Sequence, residues 1–440
     1  MNKLIKGLTG KNIVVVGLGI ENLALVDYLG KQKLKASLTI FEGRPAVALG
    51  ERVARLKRFK HIQWRFNEAR PERLTDYDII IKSSGAFFSP AERQRTSKAG
   101  TRIVSALQLF LDICPSKNII GVTGTKGKGT TSSLIAAILK KAGRRVFLGG
   151  NIGIAVFDFL ARVRKSDWIV LELSSFQLED MQPNPRIAVF TNLSPEHLAP
   201  ADASNPNYHV SYKAYWGAKF NLARYQSAQG IIIADSSLAV RLHKEKLAGR
   251  LILSEASALK SRLPGEHNQR NIALAAAAAR YAGIKEAMIA KAVASFKGLP
   301  YRLEKIASRN GIDYYNDSFS TTPASTITAL KAFDRPIILI AGGADKGSDF
   351  STLARAIKAH SKSVILFKGA ALEKLKTALA RINYPRTAIK IAGSMKEAIT
   401  QARHETKAGD IILLSPACAS FGIFKNYKDR GEQFNRFASR

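Results

Sequence analysis

The stretch Gly121-Val-Thr-Gly-Thr-Lys-Gly-Lys-Gly-Thr-Thr131 constrains this chain more than any other. Ile119 and Ile120 lead into it as a short apolar strand, and Leu134, Ile135, Ile138 and Leu139 follow it at helical spacing. A glycine-rich turn between a buried strand and a helix frees backbone N–H groups at the positive end of the helix, where phosphate oxygens bind. In that reading Gly124, Thr125, Lys126, Gly127, Gly129 and Thr131 form the cradle of a nucleoside triphosphate, Lys128 reaches its terminal phosphates and Thr130 offers a hydroxyl to Mg²⁺. The spacing departs from a strict phosphate loop, which carries glycine where Val122 stands and serine or threonine where Gly129 stands. The alternative is a strand-to-helix turn that binds nothing, although such turns seldom use glycines and lysines so densely.

Strand, turn and helix alternate along the rest of the chain in three segments, as 440 residues are too many for one core. The first holds the buried strand Ile13-Val-Val-Val-Gly17, the turn Gly17-Leu-Gly-Ile-Glu-Asn22 and the strand Ser37-Leu-Thr-Ile-Phe-Glu42. Gly17 and Gly19 allow a close phosphate approach, and Glu42 stands where a ribose hydroxyl would meet an acid. Asn22 replaces the third glycine of a dinucleotide turn, so packing is an equal reading of these glycines. Asp78-Ile-Ile-Ile-Lys82 runs into Ser83-Ser84-Gly85, another small-residue turn fit for phosphate or sugar. The second segment has strands at Trp168–Leu173, Ile187–Thr191 and Gly230–Ala234, and a closely packed helix over the alanine run Ala273–Ala279. The third starts near Arg302, with strands at Pro336–Ile340, Ser363–Phe367, Ala388–Ile391 and Asp410–Leu414. Strands alternating with helices predict parallel sheets with ligands at the strands' carboxyl ends.

Glu172 lies inside an apolar strand, where a carboxylate is unfavourable unless paired or metal-bound. A ligand role and a helix-capping role are both open. His197, in Ser194-Pro-Glu-His-Leu198, is equally read as a structural histidine or a second metal ligand past a strand end. Gly265-Glu-His-Asn268 with Asn271, Gly298-Leu-Pro-Tyr-Arg302, Tyr314-Tyr-Asn-Asp-Ser318, Gly342-Gly-Ala-Asp-Lys346 and Leu414-Ser-Pro-Ala-Cys-Ala-Ser420 put further polar groups at strand ends, as a cleft would.

The net charge of +34 admits nucleic-acid binding, steering of anionic substrates, or basic decoration of helix faces. The basic residues are spread along the chain without an aromatic or zinc-binding nucleic-acid motif, so no dedicated nucleic-acid site is expected. With no apolar run of about 18 residues and no apolar leader, a cytoplasmic protein without a membrane span is expected. Cys114 and Cys418 are too far apart in sequence to suggest a disulfide framework or metal cluster and are expected as buried free thiols.

Three longer signatures resemble the Mur ligase family, in its D-glutamate-adding branch: Gly149-Gly-Asn-Ile-Gly153, Leu171-Glu-Leu-Ser-Ser-Phe-Gln-Leu-Glu179, and Leu414–Ser420 followed by Phe424-Lys-Asn-Tyr-Lys-Asp-Arg-Gly431. The resemblance covers nearly the whole chain. It implies an α/β fold of three domains: a Rossmann-like UDP-binding domain over 1–115, a central phosphate-loop ATPase with a mostly parallel sheet over 116–301, and a Rossmann-like C-terminal domain over 302–440 that closes to bring the amino acid. It further implies an ATP-dependent ligase in which the carboxylate of UDP-N-acetylmuramoyl-L-alanine attacks the γ-phosphate of ATP. The D-glutamate amine then displaces the acyl phosphate.

By the same resemblance Lys128, His197 and Lys219 are catalytic. Two Mg²⁺ ions are held by Thr130, Glu172, His197 and a carbamylated Lys219, while Asn268, Asn271, Arg302 and Asp317 join the phosphate loop around ATP. The UDP substrate meets Gly17, Gly19, Ile20, Glu42, Gly43, Arg44, Ser84, Gly85, Asn151, Ser174 and Gln177. D-Glutamate meets Thr321, Lys346, Ser420, Phe421 and Tyr427. A monomer is expected.

Four positions depart from the family pattern. Gly129 ahead of Thr130 resembles folylpolyglutamate synthase; Phe319 replaces the lysine of an Asp-Ser-Lys motif; the histidine motif lacks its flanking aspartates and stands unusually far from Lys219; and Tyr301 replaces a histidine beside Arg302. They keep two alternatives open, a folate-type glutamate ligase and a scaffold of this fold without catalysis.

Overall fold

The computed structural model describes residues 3–32, 34–198, 207–345 and 347–439. Three sheets organise them. The first contains β1 (Asn12–Val16), β2 (Ser37–Glu42), β3 (Ile62–Phe66), β4 (Ile79–Lys82) and β5 (Arg102–Val104), all parallel, in the order β3-β2-β1-β4-β5. Val14, Val15, Ile80 and Ile81 are fully buried, as strands covered on both faces require. The chain order reverses between β1 and β4, so their carboxyl ends open a crevice.

The second sheet contains β6 (Asn118–Thr123), β7 (Val146–Gly150), β8 (Trp168–Glu172), β9 (Ile187–Phe190), β10 (Ile231–Asp235) and β11 (Arg250–Ser254), again all parallel, in the order β11-β10-β9-β6-β8-β7. Because β8 and β9 flank β6, the glycine-rich turn leaving β6 stands at the switch point of this sheet. The helix Lys128–Lys141 that follows buries Leu134, Ile135, Ile138 and Leu139 completely, as their spacing predicts. Helix Glu266–Tyr281 buries every alanine from Ala273 to Ala279. Small side chains there let the helix backbone approach its neighbours closely.

These two sheets form one compact unit, Met1–Ser257 with Arg270–Ala292. One apolar cluster runs through both, with Phe110 of the first segment meeting Phe157 and Phe159 of the second edge-on at 6.4 and 5.7 Å.

The second compact unit, Ala258–Gln269 with Val293–Arg440, holds the third sheet. Its strands are β12 (Glu304–Arg309), β13 (Ile312–Asn316), β14 (Ile337–Ala341), β15 (Ser361–Phe367), β16 (Ile389–Ala392) and β17 (Ile411–Leu414), in the order β12-β13-β17-β14-β15-β16. All pairs are parallel except the edge pair β12 with β13, which is antiparallel. Asn310 and Gly311, at φ 51° and 73°, turn the chain directly back as a hairpin, and this Asn-Gly pair suits that tight turn. Cys114 and Cys418 are free and buried.

Candidate functional site

The turn after β6 has the shape of an anion cradle. Gly124 and Gly127 adopt φ 143° and 83°, and a Cβ would stand 1.9 Å from Thr191 Oγ1 at the first and 2.2 Å from Asn271 Oδ1 at the second. Only glycine fits either place. The loop is braced from the end of β9: the Lys126 N–H donates to Asn192 Oδ1 at 2.9 Å, and Thr191 Oγ1 and Asn192 Nδ2 donate to the Lys126 carbonyl at 2.6 and 2.9 Å. Lys128 Nζ folds back on the carbonyls of Gly124 and Thr125 at 3.1 and 2.8 Å. Thr130 is partly exposed in the first helical turn, whereas Thr131 is buried and donates to Asn271 Oδ1 at 3.3 Å. Lys126 pairs with Glu196.

Besides Thr130 in the loop's own helix, three further residues were singled out for metal. Glu172 is the last residue of β8, and its Oε1 accepts a 2.9 Å bond from Asn151 Nδ2, while its carbonyl accepts from the Asn151 N–H at 2.8 Å. Gly150 makes that approach possible, since a Cβ there would lie 2.2 Å from the Glu172 carbonyl oxygen. Lys219 rises from helix Tyr212–Arg224, capped by Ser211. It is 2 % exposed, donates to the Gly124 carbonyl at 2.7 Å and lies 4.6 Å from the Tyr215 ring. Burial, joined by repulsion from Lys128, pushes its amine down to about 7 against the pull of Glu196 and Glu172. His197 sits at φ 56° with its ring 5.2 Å from that of Phe176 at an interplanar angle of 60°. Burial lowers its pKa; Lys128, Lys219 and Lys126 lower it further against the opposing charge of Glu196.

Two adjoining clefts receive most of the residues assigned to a nucleotide-linked substrate. Gly17, Gly19, Glu42, Gly43, Arg44, Ser84 and Gly85 line one, and Gly19, Ile20, Ser84, Asn151 and Gln177 line the other. Glu42 is committed locally: Oε2 accepts from the Leu18 N–H at 2.7 Å, and Oε1 from Arg44 N and Nε at 3.0 and 2.8 Å. Burial alone would raise its pKa, but these bonds outweigh burial and hold it below the usual value. Ser174 and Gln177 form a reciprocal capping box on the helix Ser175–Leu178.

In the second unit, Asp317 and Ser318 follow β13, and Ser415–Ser420 follow β17. The Ala417 N–H donates to the Ser320 carbonyl at 3.0 Å, and the Ala344 N–H, in the loop after β14, donates to the Ala419 carbonyl at 2.9 Å. Asp317 accepts from Ser415 Oγ at 2.8 Å and the Leu303 N–H at 3.2 Å. Burial pushes it up to about 6, opposed by its bonds from Ser320, Ser415 and Leu303 and by Arg302. Arg302 is exposed, with its guanidinium carbon 3.7 Å from the Phe319 ring centroid. Asn268 donates to the Pro264 carbonyl at 2.7 Å. Of the residues assigned to D-glutamate, Thr321 is half-buried, Ser420 is buried, Phe421 is exposed, and Tyr427 opens the helix Tyr427–Ala438. Lys346 lies outside the described residues.

Four features were not anticipated from sequence. Buried Lys82 meets Asp180 at 2.7 Å beside Arg93, and all join the first sheet to the end of the Ser175–Leu178 helix. Burial alone would raise the Asp180 carboxyl, but these two cations outweigh it and hold the group low. Buried His209 stacks on Phe176 at 4.7 Å. Asn207 bonds the Ser84 carbonyl, and Tyr208 stacks on Phe87 at 5.5 Å. Arg430 is fully buried and binds Ser318 Oγ, the Ser318 carbonyl and the Cys418 carbonyl at 3.0, 2.9 and 3.1 Å. The acidic pair Glu179-Asp180 at the end of the Leu171–Glu179 signature was the available signal for the first; the others depend on contacts distant in sequence.

The chain matches the Mur ligase middle domain over residues 122–250 and the Mur ligase, glutamate ligase domain over residues 301–418. It is 35% identical to UDP-N-acetylmuramoylalanine--D-glutamate ligase of Symbiobacterium thermophilum, over 96% of this chain and 96% of that protein. A protein of the same name from Clostridium kluyveri is also 35% identical, over 98% of this chain and 96% of its own length. The crystal structure of UDP-N-acetylmuramate-alanine ligase from Thermotoga maritima aligns with a TM-score of 0.58 and 18% identity over 98% of this chain and 99% of that one, a likeness of fold. No helix among the described residues is long and apolar enough to cross a membrane.

Proposed function

The chain belongs to the Mur ligase family, among the UDP-N-acetylmuramoylalanine--D-glutamate ligases, and from that premise we propose how its residues divide the work of an ATP-dependent ligase. The substrate carboxylate of UDP-N-acetylmuramoyl-L-alanine attacks the γ-phosphorus of ATP and ADP leaves. The D-glutamate amine then attacks the acyl carbon, loses a proton and expels inorganic phosphate. Phosphoryl transfer of this kind needs charge neutralisation and in-line placement more than covalent help from the protein.

The phosphate loop and Lys128 hold the ATP phosphates. Asn271 braces the loop against Thr131. On the second unit, Asn268, Arg302 and Asp317 are assigned to the nucleotide, and Thr321, Ser420, Phe421 and Tyr427 to D-glutamate, with Lys346 added by sequence alone. The clefts at Ser84 take the UDP-linked substrate. Asn151 stands between the substrate cleft and Glu172, within reach of both. The domain limits 1–115, 116–301 and 302–440 are part of the proposal.

Magnesium suits these residues under one condition. Among the described residues no group of three His, Cys, Asp or Glu side chains could hold a metal ion. Glu172, His197 and the Thr130 hydroxyl would be completed as a metal site by phosphate oxygens, which Mg²⁺ favours, and a carbamate on Lys219 would turn a repelling cation into a further carboxylate. Bound there, Mg²⁺ would neutralise charge developing on the transferred phosphoryl group. The burial-lowered Lys219 amine supports this, because carbamylation requires the neutral form.

The meeting of the phosphate loop with Lys219, bonded to the Gly124 carbonyl, carries this reading. Purified protein given ATP, Mg²⁺, UDP-N-acetylmuramoyl-L-alanine and D-glutamate should release phosphate only when both substrates are present. Release instead with tetrahydrofolate and L-glutamate would favour the reading raised by Gly129.

A further inference from the structure

His197, assigned to metal, sits at φ 56° in a bend outside the helices and strands, so regular structure does not orient its imidazole. Two contacts do. The His209 N–H donates to the His197 carbonyl at 2.8 Å, and Leu198 and His209 pair as a parallel bridge. The Phe176 ring stands 5.2 Å from that of His197, and the His209 ring stacks on the same Phe176 at 4.7 Å, the planes 3° apart. His209 thus reaches His197 by its backbone and, through Phe176, by its side chain. It is 2% exposed and meets the Tyr215 ring at 5.4 Å. Tyr215 leads on to the phosphate loop, its hydroxyl hydrogen-bonded with Thr125 Oγ1 at 2.9 Å. Among the described residues neither His209 ring nitrogen has a hydrogen-bond partner, and Glu179 Oε1, at 4.0 Å from Nδ1, is beyond reach. A buried imidazole whose nitrogens bond nothing serves by its shape, as a flat plate. The two residues before it are anchored on the first segment, Asn207 on the Ser84 carbonyl and Tyr208 on the Phe87 ring.

We propose that His209 is a positioning residue for His197: its ring fixes Phe176 and its backbone fixes the bend, so that the His197 imidazole is held ready for the metal ion. A ligand held in place beforehand loses less freedom when the ion binds, and groups behind a metal ligand tune affinity nearly as strongly as the ligand does. The shape of the His209 ring carries the role, not its nitrogens. Because Asn207 holds the Ser84 carbonyl, and Ser84 lines both substrate clefts, one short segment serves the wall of those clefts and the metal ligand together. All these residues belong to the first compact unit. The inference rests on the proposed reading of His197 as a metal ligand.

Binding of Mn²⁺, in place of Mg²⁺, to the whole chain in the presence of ADP tests it. Electron paramagnetic resonance of free Mn²⁺ gives the affinity of wild type, H209L, H197A and the double variant. H209L keeps an apolar side chain but loses the plate, and should weaken Mn²⁺ about tenfold, as loss of a group that orients a metal ligand does. The double variant should bind no more weakly than H197A, because His209 acts through His197. H209F restores a flat ring without nitrogens and should bind Mn²⁺ as wild type does, with kcat within about twofold. H209M replaces H209L if thermal melting shows the latter unfolded. Wild-type Mn²⁺ affinity in H209L, with or without a lower melting temperature, would overturn the proposal. So would a loss in H209F as large as in H209L, or additive losses in the double variant. Wild-type affinity in H197A would remove His197 from the metal and overturn the proposal with it. Because binding is read without turnover, a protein inert toward the muramoyl substrate would defeat the proposed function while leaving the cycle decisive.

Discussion

Lys219 Nζ donates a 2.7 Å hydrogen bond to the carbonyl of Gly124, joining a buried amine to the loop proposed to hold the ATP phosphates. Burial holds that amine at about 7. Above pH 7 it is mostly neutral and can add CO₂, forming a C–N bond and releasing a proton; below pH 7 the ammonium form dominates and cannot. Protein equilibrated with ¹³C-bicarbonate should show a carbamate ¹³C resonance at pH 8 that weakens below pH 7 and is absent from Lys219→Arg. Turnover should fall in CO₂-depleted buffer and return with bicarbonate.

Thr130 and Thr131 are adjacent but have different environments. Thr131 is buried against Asn271, whereas Thr130 is partly open in the first turn of its helix. Thr130→Ala should raise the Mg²⁺ concentration needed for half-maximal turnover about tenfold while leaving the melting temperature within a few degrees, an effect the size of one lost ligand interaction. Thr131→Ala should instead lower the melting temperature. Unchanged Mg²⁺ dependence in Thr130→Ala would remove that residue from the metal assignment.

Asp317 carries a stability penalty of defined sign. Its pKa is about 6 in the folded protein and 3.8 as the reference. Between these values the folded state binds more protons than the unfolded state, so stability falls as pH rises and the full penalty is present above about pH 6. Asp317→Asn should therefore be more stable than wild type at pH 7, by at most about 3 kcal/mol. That advantage should shrink toward pH 4 in urea titrations, and the variant should lose nucleotide affinity. An advantage that persists at pH 4 would exclude ionisation as its cause.

Arg430 is a buried guanidinium whose bonds to Ser318 and Cys418 tie the turn after β13 to the one after β17. Burial lowers its pKa to about 10. Removing it leaves buried carbonyls unsatisfied, so Arg430→Ala should cost on the order of 3 kcal/mol in urea unfolding. Lysine cannot reproduce the planar three-point contact, and Arg430→Lys should recover less than half of that loss.

The phosphate loop was legible because its signal is local: glycines at fixed offsets between a buried strand and an apolar helical face. Ile13–Gly17 and Trp168–Leu173 were legible as uninterrupted apolar runs, the pattern of strands covered on both faces. β3, with Gln63 and Arg65 exposed, and β5, only Arg102–Val104, lack that run and went unread. Resemblance drew attention to Lys219, but its buried amine and its bond to Gly124 depend on residues 95 positions apart in the chain. Glu42 shows the limit from the other side. An acid at the end of a second strand suggested a ribose contact, yet its oxygens bind Leu18 and Arg44, a pairing that sequence order does not reveal.

The most direct test of the central claim is the mass of the product. Wild-type protein incubated with ATP, Mg²⁺, UDP-N-acetylmuramoyl-L-alanine and D-glutamate should yield one equivalent each of ADP, phosphate and the D-glutamyl amide. Lys128→Ala should retain the wild-type melting transition and yield none. Amide formation at the wild-type rate in that variant, or no amide from the wild-type protein under any Mg²⁺ and bicarbonate condition, would contradict the account.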